Sequence, residues 1–143
     1  MIEPTTPKSA RLHHVGIVVP SEQQACELIG LLSLEESGRG YVESYSALCI
    51  FTDGNGGSPL ELVVPSEGRL TRFNRGLGGL HHVAIVVDSL VELADTMRER
   101  GTPLLEDRPV RGAGAFLCNF LAPVYTRGVI VEFVEELASD RPD

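Results

Sequence analysis

All four histidines of this chain lie in two copies of one decapeptide. Leu12-His13-His14-Val15-Gly16-Ile17-Val18-Val19-Pro20-Ser21 returns as Leu80-His81-His82-Val83-Ala84-Ile85-Val86-Val87-Asp88-Ser89, differing only at Gly16/Ala84 and Pro20/Asp88. A second correspondence sets a carboxylate in each copy: Leu60-Glu61-Leu62-Val63 matches Val131-Glu132-Phe133-Val134. Imidazole nitrogens and carboxylate oxygens ligate borderline divalent metals. Two of each, one pair per copy, suit a single Co²⁺, Mn²⁺, Zn²⁺, Ni²⁺ or Fe²⁺ ion. Such a set leaves coordination positions for substrate oxygens.

Side-chain alternation separates ligand candidates from packing residues. On a strand, Val15, Ile17 and Val19 face one side, under the helices. His14 and Val18 face the other, with only Gly16 between them, and His82 and Val86 do so around Ala84. A small residue two positions along leaves room beside a histidine, which favours His14 and His82 over His13 and His81. Glu61 and Val63 share a face, as do Ile130, Glu132 and Val134. A lone strand Glu is usually a solvated one, and a lone His beside valines is more often core. Four such residues at matching positions of a duplicated unit favour ligation.

The elements that must position these residues are also duplicated. Ser21 and Gln24, like Ser89 and Glu92, form a capping-box pattern at a helix start. Ala25, Leu28 and Ile29 follow at helical spacing in the first copy. Leu90, Leu93, Ala94 and Met97 follow in the second, with Gly101 as the stop. Three strands are then expected in each copy. The first copy places them at Tyr41–Tyr45, Leu48–Thr52 and Leu60–Val64, with a hairpin at Asp53-Gly54-Asn55-Gly56-Gly57. The second places them near Leu104–Leu105, at Ala115–Leu121 and at Val129–Val134. Each half therefore reads βαβββ, roughly residues 11–65 and 79–136. A glycine-rich connector, Pro65 to Gly79, joins them within one domain, 11–136. Residues 1–10 are expected to be a flexible arm and 137–143 a tail.

Composition limits the partners. The chain has 143 residues and a formal net charge of -8, with 43% hydrophobic residues. An acidic chain without a basic stripe argues against nucleic acid. No apolar run approaches the ~20 residues of a bilayer span, and Met1 to Arg11 has no apolar signal core. Cys26, Cys49 and Cys118 are odd in number, far apart and set among apolar neighbours. They are expected to be buried free thiols in a cytoplasmic protein.

At these residues the chain resembles the vicinal-oxygen-chelate superfamily, whose members include glyoxalase I, extradiol dioxygenases and fosfomycin-resistance proteins. It is most similar to the methylmalonyl-CoA epimerase branch. The resemblance rests on Leu12 to Val18, Leu60 to Pro65, Gly78 to Ile85, Arg111 to Gly114 and Gly128 to Glu135. It implies an α+β fold in which paired βαβββ modules form a cupped mixed sheet. It implies metal ligands at His14, Glu61, His82 and Glu132. It further implies a catalytic glutamate, for which Glu43 in Tyr41-Val42-Glu43-Ser44-Tyr45 is the candidate, with Glu35 and Glu36 as alternatives. Glu132 would serve both metal and proton transfer.

The implied activity is metal-dependent movement of the α-proton of an acyl-CoA thioester, in a homodimer. Arg69, Arg72, Arg75, Arg108 and Arg111 are the cations available to that anionic handle. The chain departs from the epimerase pattern at Pro65-Ser66-Glu67-Gly68-Arg69, which is shorter, and at Phe120-Leu121-Ala122-Pro123. Two alternative readings are a glyoxalase I-type lyase acting on a hemithioacetal and a metal-free binding module of the bleomycin-resistance type. An extradiol dioxygenase fits less well, because Glu61 exceeds a set of two histidines and one carboxylate.

Overall fold

A computed structural model describes residues 10–138. The expected arm, 1–10, and tail, 137–143, fall almost entirely outside the described residues. The chain forms two compact units, one of His14–His82 and the other of the described residues up to His13 and from Val83 onward. The two histidine strands, β1 (Arg11–Val18) and β5 (Gly79–Val86), each contribute residues to both units.

In the His14–His82 unit, β1 leads to α1 (Glu22–Leu31), then β2 (Glu36–Val42), β3 (Ala47–Thr52) and β4 (Leu60–Pro65). The strands lie in the order β2-β3-β4-β1. β1 runs parallel to β4 and the other pairs are antiparallel. The Ser21 hydroxyl caps α1 by accepting from the Gln24 amide at 3.1 Å. The helix turns Ala25, Leu28 and Ile29 onto Ile17, Val19, Ile50 and Leu62. Ile50 and Leu62 are sealed from solvent. Burial of each such side chain contributes roughly 1.5–3 kcal/mol.

The other unit repeats this plan. β5 leads to α2 (Leu90–Glu99), β6 (Val110–Arg111), β7 (Phe116–Leu121) and β8 (Ile130–Glu136), in the order β5-β8-β7-β6. Ser89 caps α2 by accepting from the Glu92 amide. Gly101 ends it with φ of 79°. Val87, Leu90 and Leu93 form its core with Met97, Leu104, Leu117 and Phe133. The equivalence reaches single hydrogen bonds. Val19 N–H donates to the Val63 carbonyl at 2.8 Å, and Val87 N–H to the Val134 carbonyl at 2.8 Å.

Several expectations need correction. β2 is Glu36–Val42, and Glu43–Tyr45 is a single 3-10 turn. Gly38 and Gly40 disfavour a strand by local propensity, yet here they sit opposite Phe51 and Cys49. The short strand expected near Leu104–Leu105 lies at Val110–Arg111 instead. Leu105 N–H still donates to the Phe120 carbonyl of β7 at 2.8 Å, but the pairing goes no further. At the next residue the Asn119 Oδ1 accepts from the Glu106 amide and its Nδ2 donates to the Glu106 carbonyl, so side-chain bonds take over from the backbone ladder. Within the connector, Arg69–Gly76 winds into 3-10 turns broken at Phe73–Arg75. Cys49 and Cys118 are buried as expected, but Cys26 is exposed, one helix position beyond the inward Ala25. Among the described residues no helix is long and apolar enough to cross a membrane.

Candidate metal centre

Strand register brings three of the proposed ligands together in the His14–His82 unit. Gly16 of β1 lies opposite Glu61 of β4, and Phe51 of β3 lies on its other side. One turn of alternation from Gly16 on the same face is His14. His14 is fully buried, and Glu61 and His82 are each 5% exposed. A carboxylate this far from water needs a compensating charge or hydrogen bonds.

The atoms form a nearly equilateral triangle. His14 Nε2 is 3.1 Å from His82 Nε2. Glu61 Oε1 is 3.3 Å from His14 Nε2 and 3.2 Å from His82 Nε2. Ligand bonds of ~2.1 Å give donor–donor separations of about 3.0 Å for adjacent octahedral positions and about 3.4 Å for tetrahedral ones. The three edges fall between those values. If both imidazoles aim their Nε2 lone pairs inward, they meet an anion, and only a cation or shared protons relieve the repulsion. The donor set therefore fits a borderline divalent ion. The Phe51 ring stands edge-on to His14 with centroids 5.4 Å apart and walls the site.

The small residue at position 16 has a role other than the expected one. A Cβ on Gly16 would lie 2.0 Å from His82 Cε1, so the missing side chain makes room for the histidine of the other copy rather than for His14. Gly16→Ala should keep the fold and push the His82 ring off its position. We expect divalent-metal affinity to fall by ~10–100-fold, the range for disturbed ligand orientation. Calorimetric titration with Co²⁺ checks this.

The remaining predicted residues are placed as follows. Glu132 lies in β8 of the other unit, 5% exposed, opposite Phe120 of β7. That pairing repeats Glu61 opposite Phe51. Glu43 is exposed, in the turn that follows the buried Val42. Glu36 is exposed and held by Arg39, with contacts of 2.8 and 2.7 Å that keep its carboxyl below the usual range. Arg39 also meets Glu22 at 3.2 Å. Glu35 is exposed, and its carbonyl accepts from the Asp53 amide. His13 and His81 stand outside the triangle. Sequence reasoning missed Phe51. A signal for Phe51 existed, since Leu48-Cys49-Ile50-Phe51 recurs as Leu117-Cys118-Asn119-Phe120.

Comparison with known proteins places the chain in a class. The model of the Glyoxalase/Bleomycin resistance protein/Dioxygenase superfamily matches residues 13–120, and the chain belongs to that superfamily. It has the vicinal-oxygen-chelate fold. The chain is similar to a solved hypothetical protein from Bacillus halodurans, with 33% identity, a TM-score of 0.82, and coverage of 95% of this chain and 99% of that one. It is 28% identical to the mitochondrial methylmalonyl-CoA epimerase of Mus musculus, covering 87% of this chain and 72% of the relative. It is 25% identical to a substituted Streptomyces coelicolor methylmalonyl-CoA epimerase solved in complex with 2-nitronate-propionyl-CoA. The TM-score there is 0.80, with 96% of this chain and 100% of that one covered.

Proposed function

We propose that this protein is a metal-dependent isomerase that moves the α-proton of an acyl-CoA thioester, with methylmalonyl-CoA the foremost substrate. The observation that carries the reading is the buried triangle of His14, Glu61 and His82. The likeness to epimerases, one of them solved with an acyl-CoA ligand, supports the substrate class. We assign Glu132 as the fourth ligand. It occupies in β8 the place Glu61 holds in β4, with equal burial and a matching phenylalanine across the ladder. A cytoplasmic homodimer is the setting we assign to it.

The chemistry explains why such residues are needed. A hydrogen between a thioester and a carboxylate is a weak acid, and a carboxylate base removes it slowly unless developing charge is stabilised. A bound divalent ion supplies a Lewis acid for that charge, worth several kcal/mol. Glu43, ionised, would take the proton from one face of the carbon, and Glu132, holding a proton on its non-ligating oxygen, would return one to the other face, the two protonation states exchanging for the reverse direction. Glu36 is the weaker candidate for the base, because its ion pair with Arg39 lowers its basicity. His14 and His82 orient the ion, and Phe51 helps keep water away.

The test is a panel of acyl-CoA thioesters in D₂O, with protein loaded in turn with Co²⁺, Mn²⁺, Zn²⁺ and Ni²⁺. Deuterium should enter the α-carbon of methylmalonyl-CoA. If no acyl-CoA exchanges but a hemithioacetal isomerises, the protein is a glyoxalase-type lyase. If no metal binds, it is a binding module.

A further inference from the structure

The second histidine of the repeated pair has its own geometry in one copy. His82 directs Nε2 toward His14 and Glu61, and its Nδ1 lies 2.8 Å from His81 Nδ1. The two rings are perpendicular, at 88°. A metal ligand that offers the Nε2 lone pair carries its hydrogen on Nδ1. That hydrogen needs an acceptor, and an outer partner of this kind fixes both the tautomer and the ring plane. His81 Nδ1 is in position to accept it, with the hydrogen of His81 on its own Nε2.

His81 is in turn held by the connector. The Phe73 ring stands against it, with centroids 4.9 Å apart at 76°. Phe73 sits where the 3-10 turns break, followed by Asn74 and Arg75 with φ of 52° and 60°. Asn74 Nδ2 donates to the Gly78 carbonyl at 2.7 Å, closing this loop. A Cβ on Gly78 would lie 2.3 Å from the Val18 carbonyl, so the loop packs against β1 at a fixed height. The counterpart His13 sits instead beside Phe116 and 3.9 Å from Glu136.

We infer that His81 is a positioning residue for the metal centre: braced by Phe73, it accepts the Nδ1 hydrogen of His82 and so presents the His82 Nε2 lone pair to the ion. This rests on the metal-binding reading above. The test compares wild type with His81→Phe, which keeps a ring against Phe73 but has no acceptor, and His81→Asn, whose Oδ1 can stand in for Nδ1. Each protein is titrated with Co²⁺ by calorimetry, and the visible absorption of the loaded form is recorded. His81→Phe should bind Co²⁺ ~10–100-fold more weakly and shift the cobalt bands, as loss of an outer partner does. His81→Asn should recover most of the affinity and the wild-type bands.

If wild type binds Co²⁺ and His81→Phe matches it in both readouts, the inference is overturned and the metal reading stands. If wild type takes no Co²⁺, both fall. Should His81→Phe not fold, His81→Ala against His81→Asn decides the point by the same two readouts.

Discussion

Replacing His14 or His82 with alanine should remove tight divalent-metal binding, weakening it by more than ~10²-fold, beyond the range seen for outer partners. Both supply an Nε2 to the same triangle, 3.1 Å apart and each within 3.3 Å of Glu61 Oε1. The effect should also appear in stability. An ion bound only by the folded state stabilises it by about 2.7 kcal/mol at a hundred times Kd. Thermal unfolding of wild type should therefore rise with added Co²⁺ or Mn²⁺, while the two variants should unfold at temperatures that metal does not move. Equal metal-induced shifts in wild type and His14→Ala would remove that residue from the centre.

The second large effect concerns proton transfer. Glu43→Gln keeps size and polarity but removes the base. Turnover of methylmalonyl-CoA should fall by ~10²–10⁴-fold, the usual contribution of general acid–base catalysis. Metal affinity should stay near wild type, because Glu43 lies in the turn after β2 and is not a proposed ligand. Glu132→Gln should differ by weakening the metal as well. Steady-state kinetics with calorimetry on both variants separates the roles. Full activity in Glu43→Gln would pass the base to Glu35, since Glu36 is tied to Arg39.

The repeat made much of this legible. Two copies of one decapeptide, two serine caps and two carboxylate-bearing strands define the βαβββ plan, and each appears in the structure where its residues stand. What escaped notice has physical causes. Gly38 and Gly40 hid β2, because glycine is poor in strands by propensity but is tolerated opposite Phe51 and Cys49. Near Leu104–Leu105 the chain keeps one backbone bond to Phe120, and the Asn119 side chain takes both Glu106 backbone groups, a pairing that periodicity does not signal. Gly16 showed that space was needed, but only the three-dimensional register shows that His82 fills it. His81 stands perpendicular to His82 and, on its other contact, against Phe73 of the connector. Neither local pattern nor periodicity encodes such distant placement.

The most direct test of the central claim is X-ray absorption at the cobalt edge on Co²⁺-loaded protein. The account predicts one ion per chain, ligated by two imidazoles and by carboxylate oxygens at about 2.0–2.2 Å, with one imidazole lost in His82→Ala. A first shell of oxygen alone, identical in wild type and His82→Ala, would contradict it.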